Sequence, residues 1–113
     1  MLLLIILACR TTLVESEVAC NGFEILCDRR LNQVTFAATH NSMSSAQEEW
    51  IPPNHLYAIP KQLQDGIRGL NLDTYLWLDE AYLCHGFCEL GATPLRDTLE
   101  EIKFFLTATQ MRF

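Results

Sequence analysis

The chain has 113 residues, half of them hydrophobic, and a formal net charge of −6. That is one domain's worth of sequence at most, with enough apolar content to build a core, and it is neither disordered nor repetitive. The acidic balance argues against a nucleic-acid partner, since no basic patch is present to neutralise a run of phosphates. A single phosphate on a small substrate remains within reach of one cation or a metal.

The first eight residues, Met1 to Ala8, are almost wholly apolar. They fall well short of the roughly 20 needed to cross a bilayer. They resemble the h-region of a secretory signal without its basic n-region. Cys9, following Ile6-Leu7-Ala8, loosely resembles a bacterial lipoprotein cleavage box. The competing reading is a misplaced start codon or a buried first segment. Residues 1–19 are expected to be an export signal or lipoprotein-type leader with a linker, and residues 20–113 the folded part.

With Cys9 assigned to the leader, Cys20, Cys27, Cys84 and Cys88 remain, an even number in two close pairs, as an oxidising compartment favours. Four cysteines allow three connectivities, of which local pairing (Cys20–Cys27 and Cys84–Cys88) is the simplest. A four-thiolate zinc site competes, although neither pair has C-x-x-C spacing.

Cys20-Asn21-Gly22 is a turn signal, and residues 26–31 read as a short helical turn. Val34 to Thr39 alternates as a strand and stops at His40-Asn41. Residues 43–60 have no regular period, and Pro52, Pro53 and Pro60 forbid a continuous helix there. Long ordered loops of this kind often carry function, and Trp50 and His55 could line a site; a surface histidine and an anchoring tryptophan is the blander reading.

Lys61 to Gly66 is expected to be a short helix ending at Gly66. Ile67 to Thr74 reads as a second strand, with Asn71 and Asp73 on one face, where they need hydrogen bonds or a cation. A turn is expected at Asp79-Glu80, then a third strand, Ala81 to Cys84, ending at His85. A Cys84–Cys88 bridge would close a small ring around that histidine. A helix follows, with Thr93 as N-cap, Pro94 at the first position and Leu95, Leu99, Ile102 and Leu106 as its buried stripe.

Three successive strand ends therefore carry His40-Asn41, Asn71 with Asp73, and His85. Two histidines suit paired general acid–base work, and Asn41, Asn71 and Asp73 offer oxygen ligands to a hard cation such as Ca²⁺. These segments resemble a known family. THNS at 39–42, QLQDGIRGLNLDTY at 62–75, LCHG at 83–86 and PLRDTLEEIKFFL at 94–106 are similar, in order, to the X region of phosphatidylinositol-specific phospholipase C and its secreted relatives among the PLC-like phosphodiesterases.

The resemblance implies an α/β fold of the TIM-barrel type, of which this chain would hold only the N-terminal part, a complete barrel taking about 250 residues. It implies His40 as general base and His85 as general acid on a phosphatidylinositol-like phosphodiester, with Asn41 and Arg68 as phosphate contacts. The metal-dependent branch carries Asn after the first histidine and a Glu-x-Asp pair on the second strand. Asn41 and Asp73 match it, whereas Asn71 replaces the glutamate. The implied cofactor is thus Ca²⁺ on Asn41, Asn71 and Asp73, or none. A phospholipid substrate, a membrane surface, no nucleic acid and an extracytoplasmic location, secreted or anchored through Cys9, complete the expectation. A glycerophosphodiesterase- or sphingomyelinase D-like relative and a truncated, non-catalytic secreted module are the alternatives. The 113-residue chain alone is expected to turn over poorly.

Overall fold

The computed structural model describes residues 20–109. The expected leader, residues 1–19 with Cys9, lies outside the described residues. The described part begins with three short 3₁₀ turns, at Cys20–Gly22, Glu24–Leu26 and Leu31–Gln33. The first follows the Cys-Asn-Gly turn signal, with Asn21 at φ 47° and Gly22 at φ 87°. The four cysteines are paired locally, Cys20 with Cys27 and Cys84 with Cys88. That pairing consumes the thiolates and removes the zinc reading.

Strand β1 is short, Ala38–Thr39, and pairs in parallel with β2, Gly69–Leu70, in the register Ala38↔Gly69 and Thr39↔Leu70. Between them lies helix α1, Ile59–Gln64, so the three elements form one β–α–β unit, the connection parallel strands require. Close approach of β1 and β2 demands Gly69. A Cβ there would lie 2.7 Å from Ala38 Cβ and 3.3 Å from its Cα.

Helix α1 starts two residues earlier than the sequence suggests, because Pro60 is tolerated in a first turn, where its missing N–H has no partner to lose. It ends as expected before Gly66, at φ 99°. Its inward face is Ile59, Gln62 and Leu63.

The single strand expected over 67–74 divides in two. After β2 the chain passes through Asn71 to Asp73 and then enters β3, Thr74–Trp77, which belongs to a different sheet. The order there is β3-β4-β5, all antiparallel, with β4 at Glu80–Cys84 and β5 at Ala92–Pro94. The β3–β4 turn falls at Leu78-Asp79, one residue before the expected position, with Trp77 opposite Glu80. Both turn residues have positive φ, 52° and 63°, the type I′ signature that matches strand twist.

Thr93 lies inside β5 and caps nothing; Pro94 is the N-cap of α2, Leu95–Ala108, through its backbone position alone. Pairing of β5 with β4 sets the direction in which α2 leaves the sheet, and the buried stripe is rotated from the expected one. Leu95, Ile102 and Phe105 pack on the core and Thr98 is buried, whereas Leu99 is 51 % exposed. The core itself is Met43, Trp50, Ile59, Leu63 and Leu83. It thus joins the loop after β1, helix α1 and strand β4. Trp50 lies flat against Gly91, where a Cβ would meet the indole at 2.6 Å.

Candidate active site

The site is built around the segment 71–73, which hydrogen-bonds on both sides. On one side Asn71 N–H donates to Thr39 O at 3.0 Å, and Asn71 O accepts from Ser42 N–H at 3.0 Å. This carries the parallel pairing past β2 and grips the turn that holds His40 and Asn41. On the other side Asp73 O accepts from Cys84 N–H at 3.1 Å. The next residue, His85, leaves the ladder beside that same segment. His40-Asn41, Asn71, Asp73 and His85 are therefore joined at one edge of the fold through main-chain hydrogen bonds.

Local backbone sets how each side chain is presented. Asn41 takes a left-handed conformation, φ 50°, one of the few non-glycine residue types that does so readily. The reversal buries Asn41, 2 % exposed, and leaves His40 exposed to solvent. Asn41 N–H approaches Asn71 Oδ1 at 3.4 Å. His85 is half-buried within the five-residue ring closed by Cys84–Cys88, and Phe87 N–H folds back to His85 O at 3.1 Å.

Buried polar atoms normally find partners, and leaving one bare costs about 1–3 kcal/mol. Among the described residues two buried side-chain atoms lack one: Asn41 Oδ1 and His85 Nδ1. Both belong to residues picked out from the sequence, and both lie at the edge just described. A bare carbonyl oxygen and a bare imidazole nitrogen are atoms that a bound hydroxyl, cation or water would satisfy.

The other expected residues divide. Asn71 is exposed and Asp73 half-buried, so both remain accessible. Arg68 sits elsewhere. Its guanidinium donates to Leu63 O at 2.8 Å and Ile67 O at 2.7 Å and lies 5.6 Å over the Phe105 ring. It closes the end of α1, at the entry to β2 rather than its exit, and the structure does not bring it to the histidines.

The candidate cation set contains one carboxylate, and among the described residues no group of three or more His, Cys, Asp or Glu could hold a metal. The oxygen donors Asn41, Asn71 and Asp73 fit Ca²⁺ by type, with Asn41 Oδ1 free to coordinate. Three protein oxygens are at most half of the six to eight that Ca²⁺ takes.

Two residues outside the expected catalytic set prove central. His55, placed by the sequence in a long loop, hydrogen-bonds through Nε2 to His40 O at 2.7 Å. Gln62, on the inward face of α1, is 7 % exposed and bonds to Thr39, Ser42 and Tyr57. The sequence signal for Gln62 was its spacing: it shares a helical face with Ile59 and Leu63.

The chain belongs to the PI-PLC X domain family, whose profile it matches over residues 26–111. It is 35 % identical over 88 residues to an uncharacterized secreted protein of Arthroderma benhamiae, covering 77 % of this chain and 20 % of that protein. It is 33 % identical over 88 residues to a PI-PLC X domain-containing protein of Arabidopsis thaliana, covering 67 % of this chain and 21 % of that protein. The chain thus spans about a fifth of the length of these curated relatives. No solved structure matches it. Two disulfides fit an oxidising compartment, and no helix among the described residues is long and apolar enough to cross a membrane.

Proposed function

We propose that this chain carries the acid–base centre of a phospholipase C-type phosphodiesterase acting on a phosphatidylinositol-like lipid. The observation that supports it is the double pairing of residues 71–73, with the His40 turn on one side and the strand ending in His85 on the other. His40 takes the proton from the inositol 2-hydroxyl. That oxygen bonds to phosphorus, the bond from phosphorus to the diacylglycerol oxygen breaks, and His85 supplies the proton that oxygen needs. The products are a cyclic phosphodiester and diacylglycerol. Each proton transfer of this kind contributes typically ~10²–10⁴ in rate.

A Ca²⁺ ion held by Asn41, Asn71 and Asp73 would offset the charge growing on a phosphoryl oxygen. Within this reading the β–α–β unit is the opening of a (β/α) barrel, and the protein works outside the cytoplasm at a lipid surface, secreted or anchored through Cys9. Phe87, 72 % exposed inside the ring that carries His85, suits such a surface.

The test is cleavage of phosphatidylinositol in mixed micelles by the chain and by His40→Ala and His85→Ala. Slow turnover is expected from the chain itself, reduced at least ~10²-fold in each variant. Glycerophosphoinositol should also move the imidazole NMR signals of His40 and His85. Equal turnover in all three proteins, or neither cleavage nor a histidine shift, overturns the proposal. Release of choline from sphingomyelin instead would favour a sphingomyelinase D-like relative.

A further inference from the structure

Four consecutive carbonyls, Thr39 to Ser42, each accept a hydrogen bond. Thr39 O receives Asn71 N–H at 3.0 Å and Ser42 Oγ at 2.9 Å, and Asn41 O receives Ser44 N–H at 2.9 Å. The other two are served by side chains: His40 O by His55 Nε2 at 2.7 Å, and Ser42 O by Gln62 Nε2 at 2.8 Å. We infer that His55 and Gln62 form a two-point clamp that positions the His40-Asn41 turn. Both are positioning residues, for neither has a role at the reacting atoms in the mechanism above.

The hydrogen-bond inventory makes Gln62 specific. Its second amide hydrogen serves Tyr57 O at 2.9 Å, and its Oε1 accepts from Thr39 Oγ1 at 2.7 Å. Thr39 has a single hydroxyl hydrogen, committed to Gln62 Oε1, and that of Ser42 serves Thr39 O, while the two hydroxyl oxygens lie 2.8 Å apart. Gln62 thus holds the residues on either side of His40-Asn41, Thr39 through its oxygen and Ser42 through its nitrogen. Glutamate has the same shape but sets an acceptor against two carbonyls. At a site only 7 % exposed, water cannot readily make up the loss.

His55 acts across 15 residues of chain, from a loop tied back by its own amide to Ser44 O at 3.0 Å. Since a carbonyl can only accept, Nε2 carries the proton. The clamp holds the turn open at Asn41, where φ is positive, with the His40 ring outside and the Asn41 carbonyl inside.

The test uses Gln62→Met, Gln62→Glu, His55→Ala and His55→Gln, read first by amide hydrogen exchange. Ser42 and Ser44 amides report the turn, and those of β3 and β4 report the rest of the fold. Gln62→Met and His55→Ala should speed exchange at Ser42 and Ser44 by about tenfold or more and leave β3 and β4 unchanged. His55→Gln, which keeps an N–H donor, should restore slow exchange. Should Gln62→Glu not fold, Thr39→Val tests the same contact, with a smaller acceleration expected.

The catalytic consequence rests on the acid–base reading above: kcat should fall at least about tenfold with KM nearly constant, because a displaced base loses rate rather than binding. Exchange needs no turnover. A chain that neither cleaves phosphatidylinositol nor shows a histidine shift with glycerophosphoinositol sinks the proposed function and leaves the clamp decided by exchange alone. Unchanged exchange at Ser42 and Ser44, or equal acceleration throughout the chain, overturns the clamp.

Discussion

The two histidines of the candidate site are held by opposite means. His40 is exposed, on a turn gripped by hydrogen bonds that reach it from far along the chain, at Asn71, His55 and Gln62. His85 is half-buried in a covalent ring closed within five residues by Cys84–Cys88, at the end of a strand whose Leu83 and Cys84 are fully buried. The first arrangement exists only when the β–α–β unit has assembled, because its partners lie on α1, on the loop before it and after β2. The second is local and needs little beyond the hairpin. A protein that assembles its two halves so differently should lose them differently, the His40 side to substitutions that disturb tertiary packing and the His85 side to reduction.

The largest effect expected is on turnover, with His40→Ala and His85→Ala each lowering cleavage at least ~10²-fold, measured by diacylglycerol release. Equal losses would mark the two as one acid–base unit despite their different supports.

Next comes Gly69→Ala, which should destabilise the fold by about 3 kcal/mol, at the upper end of overpacking costs, because the new Cβ would lie 2.7 Å from Ala38 Cβ and pry β1 from β2. Urea denaturation measures it, and NMR should show shifts concentrated at His40 to Ser42 rather than at His85.

Removing the Cys84–Cys88 bridge by a Cys84→Ala, Cys88→Ser pair should cost about 2 kcal/mol by the loop-closure estimate for so short a ring. Its disturbance should appear at His85 and spare Ser42. Equal perturbation of both histidines by either change would break the contrast between the two halves.

The smallest effect is a pH dependence. The exposed Glu101 on α2 has its carboxyl held above the ordinary value of 4.5, first by partial burial and then by the nearby charges of Glu48 and Asp97. A carboxyl raised in the folded state binds its proton more tightly there than in the unfolded chain. Its contribution to stability is therefore present at low pH and lost as pH rises through the folded value. Glu101→Gln should raise stability at neutral pH by less than about 0.5 kcal/mol, the side chain being exposed, and flatten the decline just above pH 4.5. Thermal melts at pH 4 and pH 7 measure both. Glu48 accepts a hydrogen bond from Ser45 Oγ at 2.8 Å, in the loop behind His40, so the gain should appear on the His40 side.

Much of the His85 half could be read from residue order. Cys84, His85 and Cys88 lie within one short stretch, and local pairing is the simplest of three connectivities, the one the structure selects. The hairpin before it turns one residue earlier than the residue types suggest, because Leu78 is a poor candidate for positive φ and nothing in its type announces it. The His40 half was legible only as far as His40, Asn41 and the polar pair Asn71 and Asp73. Its supports were not. A helical glutamine and a loop histidine carry no mark of what they touch, and Arg68, a plausible phosphate contact by type, is drawn instead to carbonyls at the end of α1.

By itself the sequence determined what depends on neighbours along the chain: the glycine that ends α1, the two close cysteine pairs, the polar residues at strand ends and the family that their order defines. Tertiary structure alone decided which side chains hold the His40 turn, where α2 turns its buried face, and which polar atoms are left bare. These depend on hydrogen-bond partners and packing surfaces that come within about 3 Å of each other only after folding, and a one-dimensional pattern holds no record of that distance.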